Sequence, residues 1–126
     1  RKYLVPLAKG ETLGAFCLSE PHAGSDAGNL KTRAVADGDF YVLNGTKSWV
    51  TNGGYADTHI VMAVTGETNG KKEVTAFIVE KETEGLAVSS IEHKLGQRAS
   101  QTTELSFTDA KVHKNNILGK LGEGLK

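Results

Sequence analysis

Three dipeptides constrain this chain most: Asp37-Gly38, Asn44-Gly45 and Asn69-Gly70. Asn-Gly and Asp-Gly supply the positive φ values that two-residue hairpin turns require. Asp37-Gly38 separates residues 31–36 from 39–43, Asn44-Gly45 separates that strand from 47–50, and Asn69-Gly70 separates 60–65 from 74–80. Turns this closely spaced predict consecutive antiparallel pairs. The flanking periods agree. Leu105 and Phe107 alternate with Glu104, Ser106 and Thr108, Leu86 and Val88 with Ala87 and Ser89, and Phe77 and Val79 with Ala76 and Ile78. Residues 59–64 are apolar on both faces and predict a central, covered strand. No window holds a helical period over several turns. The expected fold is all-β, with about eight short strands in a small antiparallel barrel or two packed sheets. Asn44-Gly45-Thr46 also matches a glycosylation sequon, but is read here as hairpin chemistry.

At 126 residues the chain is expected to be a single β-domain, with residues 1–8 and 119–126 as connecting segments. Fifteen Lys plus Arg balance fifteen Asp plus Glu, and no block of one sign occurs. A nucleic-acid surface needs a basic patch, so that class is excluded. The longest apolar run, residues 60–64, is far short of the roughly 18 residues of a membrane span. No signal or transit peptide is visible. Cys17 is the only cysteine, so no disulfide framework or cysteine-based metal site is expected. It lies in an apolar run and reads as a small buried hydrophobe rather than a reactive thiol. His22, His59, His93 and His113 lack metal-ligand spacing.

Chemistry concentrates in two segments. Residues 14–28 start as a strand and break at Pro21, which has no amide donor and a fixed φ. A small-residue loop with Ser19, Ser25 and Asp26 follows, and Gly24 and Gly28 allow close backbone approach. A strand-end hydroxyl followed by free N–H groups suits an anionic or polar cofactor. The pattern alone leaves an ordinary surface loop equally open. Gly24-Ser25-Asp26 is not a nucleophile elbow, and His22, Ser25 and Asp26 are too close in sequence for a triad. No Walker lysine follows, and the glycines miss the dinucleotide spacing. The second segment is Trp49-Val50-Thr51-Asn52-Gly53-Gly54. Taken alone, Trp49 reads as a core aromatic and Thr51 as a strand-end cap. Taken with the first segment, a flat aromatic and two strand-end hydroxyls could frame a planar heterocycle.

Together, residues 14–28 and Asn44-Gly45-Thr46-Lys47-Ser48-Trp49-Val50-Thr51-Asn52-Gly53-Gly54 resemble the acyl-CoA dehydrogenase family. Leu95-Gly96-Gln97-Arg98-Ala99-Ser100 and Phe107-Thr108-Asp109-Ala110-Lys111-Val112 resemble two further family motifs, in the family's order. The match spans essentially the whole chain and is nearest in flavour to bacterial short-chain, butyryl-CoA enzymes. It implies the middle β-domain, lying between helical domains that this chain lacks, in an enzyme of fatty-acid β-oxidation. It implies FAD as cofactor, with Phe16, Cys17, Leu18, Ser19, Ser25, Trp49, Val50 and Thr51 around it. Leu18 and Ser19 would meet the N1/C2 edge of the flavin, Trp49 would lie against the ring, and Thr51 would hydrogen-bond near N5. Ser25 would sit where the FAD phosphate and the acyl-CoA substrate pass. The implied reaction is α,β-dehydrogenation with hydride transfer to flavin N5.

The implied catalytic carboxylate is absent from this chain, because Glu20 matches a structural family glutamate rather than the base. Implied partners are electron-transferring flavoprotein, the flanking helical domains and three further copies in a homotetramer. The implied compartment is the cytoplasm in a bacterium or the mitochondrial matrix in a eukaryote. The residues leave two alternatives open: an acyl-CoA oxidase, and a non-catalytic β-module binding CoA derivatives or a protein partner. His22 stands where the family often has a small residue and reads as tolerated in a loop. Ser19, where many members have threonine, keeps the hydroxyl.

Overall fold

A computed structural model describes residues 1–125. A short helix, α1 (Leu4–Lys9), precedes β1 (Gly14–Cys17), β2 (Arg33–Asp37), β3 (Phe40–Thr51), β4 (Thr58–Thr68) and β5 (Lys71–Glu80). β6 (Leu86–Ile91), β7 (Thr102–His113) and β8 (Ile117–Leu118) complete the order, with a 3-10 turn at Lys114–Asn116. The strands form a single sheet in the order β6-β7-β3-β2-β4-β5-β8, and β1 pairs with β4. The expected β-fold is present, but it is not purely antiparallel. β1 runs parallel to β4 over four residue pairs, and β2 meets β4 in parallel at Arg33 and Val64. Parallel neighbours need a long crossover. Here the β2–β3 hairpin and the turn after Thr51 provide it.

The sheet curls so that one face closes on itself. Tyr41 of β3 and Phe77 of β5 meet with ring centroids 5.2 Å apart, although β2 and β4 lie between their strands in the sheet. Cys17, Leu43, Val50, Val61, Ala63, Phe77, Leu105 and Phe107 fill the enclosed core. On the opposite face of β4 and β5, Met62, Val64, Val74 and Ala76 pack against Ala23 and Leu30. Those two residues belong to the connection between β1 and β2, which folds back over the sheet. This explains why residues 59–64 are apolar on both sides: one face meets the core, and the other meets the connection.

The three turn signals resolve differently. At Asn69-Gly70 both residues have positive φ, 52° and 71°, and Thr68 pairs with Lys71 across a two-residue turn. At Asp37-Gly38 the pair closing the turn is Asp37–Phe40, so the loop is Gly38-Asp39, one residue later than expected. Asn44-Gly45 is no turn at all. β3 runs unbroken through it, and the pairing with β7 shifts register between Leu43 and Gly45. Gly45 has φ 149°, and a Cβ there would lie 2.4 Å from Thr32 Oγ1. Asn44 exchanges bonds with Asp109 across the irregularity, at 3.0 Å from its Nδ2 and 2.9 Å to its Oδ1. A bulge needs an unusual backbone as a turn does, so the local signal was right and the hairpin was not.

The expected N-terminal connector contains α1, capped by Gly10 at φ 71°. The Tyr3 hydroxyl before it donates to Glu80 at 2.8 Å. Of the expected C-terminal connector, Gly122 and Gly124 bond to Thr75 and Val74 of β5, while Lys126 lies outside the described residues. No helix among the described residues is long and apolar enough to cross a membrane.

Candidate functional site

β1 ends at Cys17, and the chain then makes a tight turn around Pro21. Glu20 N–H donates to Ala23 O at 2.9 Å and Ala23 N–H returns a bond to Glu20 O at 3.0 Å, leaving proline at a corner where no donor is needed. The turn sends the Glu20 side chain inward. Its carboxylate accepts from Lys31 N–H at 2.7 Å, Thr32 N–H at 3.0 Å and Lys47 Nζ at 2.8 Å. Lys47 Nζ also donates to Leu18 O at 3.0 Å. The two side chains are 1% and 0% exposed. Burial pushes the Glu20 pKa up, but the bonds from Lys47, Thr32 and Lys31 outweigh it and hold the carboxyl below its ordinary value. Burial lowers the Lys47 pKa, against the pull of Glu20. The Glu20 carboxylate is thus enclosed, with its acceptors taken by Lys31, Thr32 and Lys47. His22 Nε2 approaches Glu20 Oε2 at 3.5 Å, away from any triad arrangement with Ser25 and Asp26.

Sequence reasoning missed Lys47. The signal was present as a lone lysine between Leu43 and Val50 on the inward register of a strand. A buried lysine requires a buried acid, and Glu20 was the acid at hand.

The second segment is shaped by a bulge. Lys47 pairs with Leu105 and Val50 with Thr103, so Ser48 and Trp49 together face Glu104. Trp49 takes φ 59°, and its side chain is turned out of the fold. It is 65% exposed, which overturns its reading as a core aromatic. Ser48, freed from the regular ladder, donates its N–H to Ser19 O at 2.9 Å and its hydroxyl to Glu104 at 3.2 Å. Thr51 ends β3 and is exposed, and Asn52 at φ 59° begins the turn behind it. Gly53 and Gly54 are needed for close approach: a Cβ on either would lie 2.1 Å from Thr103 Oγ1 or 2.6 Å from Gln101 Oε1. Gly53 O also meets His59 Nε2 at 2.8 Å, which makes His59 a buried structural group.

The structure therefore brings the Leu18–Ser19 backbone against Lys47 and Ser48, the residues that precede Trp49 and Val50 in β3. Phe16, 58% exposed, is three residues before Ser19 on the same segment. Among the described residues, no intramolecular partner is found for the Ser19 hydroxyl, the Ser19 N–H or the Thr51 hydroxyl. The two segments joined by the Ser48–Ser19 bond thus carry two exposed aromatics and unclaimed donors, residue types suited to a flat group with acceptors along one edge. Cys17 and Val50 lie on the same two segments. Their side chains are 0% and 1% exposed and lie in the core. Burial raises the Cys17 thiol to a pKa of about 12, partly offset by Lys47, so it is an inert floor. Ser25 is exposed in the loop beyond Ala23, and no contact ties it to Ser19 or Trp49. No group of residues among those described could hold a metal.

Residues 15–110 match the family described as acyl-CoA dehydrogenase, middle domain. The chain is 53% identical over 98% of its length to a short-chain specific acyl-CoA dehydrogenase of Clostridium acetobutylicum, of which it covers 33%. Butyryl-CoA dehydrogenase from Megasphaera elsdenii superimposes with a TM-score of 0.93 at 48% identity, over 98% of this chain and 32% of that one. The prolyl acyl carrier protein oxidase AnaB gives a TM-score of 0.93 at 43% identity, over 98% of this chain and 33% of that one. The chain thus spans about a third of the length of these relatives. A matched β-core, and a level of identity far above what shared fold alone would need, place this chain in the acyl-CoA dehydrogenase family, as its middle domain.

Proposed function

We propose that this chain is the FAD-holding module of an enzyme that dehydrogenates acyl-CoA thioesters between the α and β carbons. The observation that carries the reading is Trp49, exposed on a bulge whose neighbour Ser48 is bonded to Ser19. A large aromatic held out of the core by a left-handed backbone implies a partner for its face. FAD, when bound, supplies the acceptor for the substrate's β-hydrogen as hydride. Ser19 offers its hydroxyl and N–H to the N1/C2 edge, where negative charge grows on reduction. Donors fixed in advance at that edge favour the reduced form. Trp49 and Phe16 cover the ring and exclude water, and Thr51 offers its hydroxyl near N5. Ser25 lies on the exposed loop where the cofactor phosphate and the acyl-CoA would pass.

Glu20 is enclosed and paired and takes no part in removing the α-proton. In this reading the base lies in the remaining two-thirds of the enzyme, along with the second wall of the flavin site. Flanking helical domains, an electron-transferring flavoprotein and a homotetrameric assembly complete the proposed context. With bacterial relatives, the proposed compartment is the cytoplasm.

The test is anaerobic titration of the full-length protein. Purified with FAD, it is expected to lose its flavin colour on addition of a short-chain acyl-CoA. A protein that neither retains FAD nor responds to any acyl-CoA overturns the reading. Steady-state oxygen consumption separates a dehydrogenase from an oxidase.

A further inference from the structure

The buried cation under the site has a geometric relation to Ser19 that a merely stabilising ion pair would not need. Lys47 Nζ bonds to Leu18 O, and Leu18 O belongs to the peptide that carries Ser19 N–H. A trans peptide is planar, with its C=O and N–H pointing in opposite directions, and no peptide bond in the chain is cis. Holding the carbonyl inward on a fully buried ammonium therefore aims Ser19 N–H away from the core. The next peptide is held in the same way, with Ser19 O taken by Ser48 N–H at 2.9 Å. Both carbonyls of the segment are taken by β3, and because Glu20 N–H closes the turn onto Ala23 O at 2.9 Å, Ser19 N–H is the donor left without a partner among the described residues.

The charges are ordered as well. The Glu20 carboxylate also receives the amides of Lys31 and Thr32, at 2.7 and 3.0 Å, whereas the ammonium is the member that touches the Leu18–Ser19 peptide. The positive end of the pair thus lies against the carbonyl of the peptide that carries the donor. A cation on the carbonyl polarises the whole peptide and strengthens its N–H as a donor in a region of low dielectric.

We infer that Lys47 is a positioning residue for the redox site: through the Leu18–Ser19 peptide it aims and strengthens the Ser19 N–H that meets the acceptor edge of the flavin, biasing the cofactor toward its reduced form. This rests on the proposed FAD reading. Glu20 holds the cation in place and opposes its field.

The test is the flavin midpoint potential of the FAD-loaded full-length protein, measured by dye equilibration. Lys47→Met is expected to lose about tenfold in preference for reduced over oxidised FAD, a drop of about 30 mV for this two-electron couple. Glu20→Gln keeps the Lys47–Leu18 contact while removing a negative charge, so its potential is expected to stay level or rise. A pair that only stabilises the fold would lower the melting temperature in both variants and move both potentials in one direction or neither, which overturns the inference. If Lys47→Met does not hold its fold or its FAD, the comparison of Glu20→Gln/Lys47→Met with Glu20→Gln isolates the cation. The double variant must then be the lower of the two, and equal potentials overturn the inference. Ser19→Ala keeps the two failures apart. If it changes neither potential nor FAD occupancy, the Ser19 hydroxyl is removed from the site, whereas a full-length protein that does not retain FAD at all overturns the flavin reading. If Ser19→Ala shifts them while the Lys47 variants do not, only the role of Lys47 falls.

Discussion

The N–H of Ser48 donates to the carbonyl of Ser19 at 2.9 Å, across 29 positions of sequence (48 minus 19). This one bond joins the strand-end loop after β1 to the bulge in β3. Each segment is unremarkable by itself. Joined, they present Ser19 beside Trp49, and the bulge that frees the Ser48 amide is the same one that turns Trp49 outward.

Ser19→Ala in the FAD-loaded full-length protein is expected to lower the flavin potential and weaken FAD retention. A hydrogen bond to a group that becomes charged contributes roughly 2 kcal/mol, on the order of 40 mV for two electrons. Redox titration and the flavin-to-protein absorbance ratio check both effects.

Trp49 is the only tryptophan, so its fluorescence reports the site directly in the isolated chain. At 65% exposure it is expected to emit as a solvated indole and to be quenched readily by acrylamide. A blue-shifted, poorly quenched emission would mean that the ring is buried, by self-association or by a different fold of the bulge. Sedimentation at the same concentration distinguishes those two.

Glu20→Gln is expected to destabilise the chain at neutral pH by roughly 3–5 kcal/mol, because it breaks one side of a buried ion pair. The Glu20 pKa is held below its ordinary value. Its stabilisation is therefore fully present above the unfolded value of about 4.3 and lost as pH falls through the lower folded value. Urea melts from about pH 7 to about pH 3 should show the gap between wild type and variant closing on the acid side. A gap that stays constant would contradict the assignment.

Gly45→Ala is expected to cost about 1–3 kcal/mol. Its backbone lies at φ 149°, and the added methyl would meet Thr32 Oγ1 at 2.4 Å and Thr32 Cα at 2.7 Å. Gly38→Ala, with a positive φ but open space around it, should cost less. Reversal of that order in denaturant melts would argue for a turn at Asn44-Gly45 after all.

Cys17 is expected to resist thiol reagents in the folded chain and to react promptly in denaturant. It is fully buried, with its pKa raised to about 12, so little thiolate exists and none is reachable. Rapid labelling under native conditions would show that β1 opens locally.

Local chemistry in the sequence by itself determined the strand content, the covered nature of residues 59–64 and the unusual backbone at Asn44-Gly45. Alternation and positive-φ preference act over a few residues, so they are legible without a partner strand. The family motifs likewise singled out Ser19 and Trp49 before any geometry. Only the tertiary structure decided what depended on distant partners. Whether Asn44-Gly45 is a turn or a bulge is set by the register with β7. The parallel pairing of β1 with β4 is set by a crossover of some 40 residues (58 minus 17 gives 41). The burial of Lys47 is set by Glu20, 27 positions earlier. Trp49 faces outward because a bulge opposite Glu104 reverses the strand's alternation at one residue, and alternation in sequence cannot announce a place where the backbone breaks it.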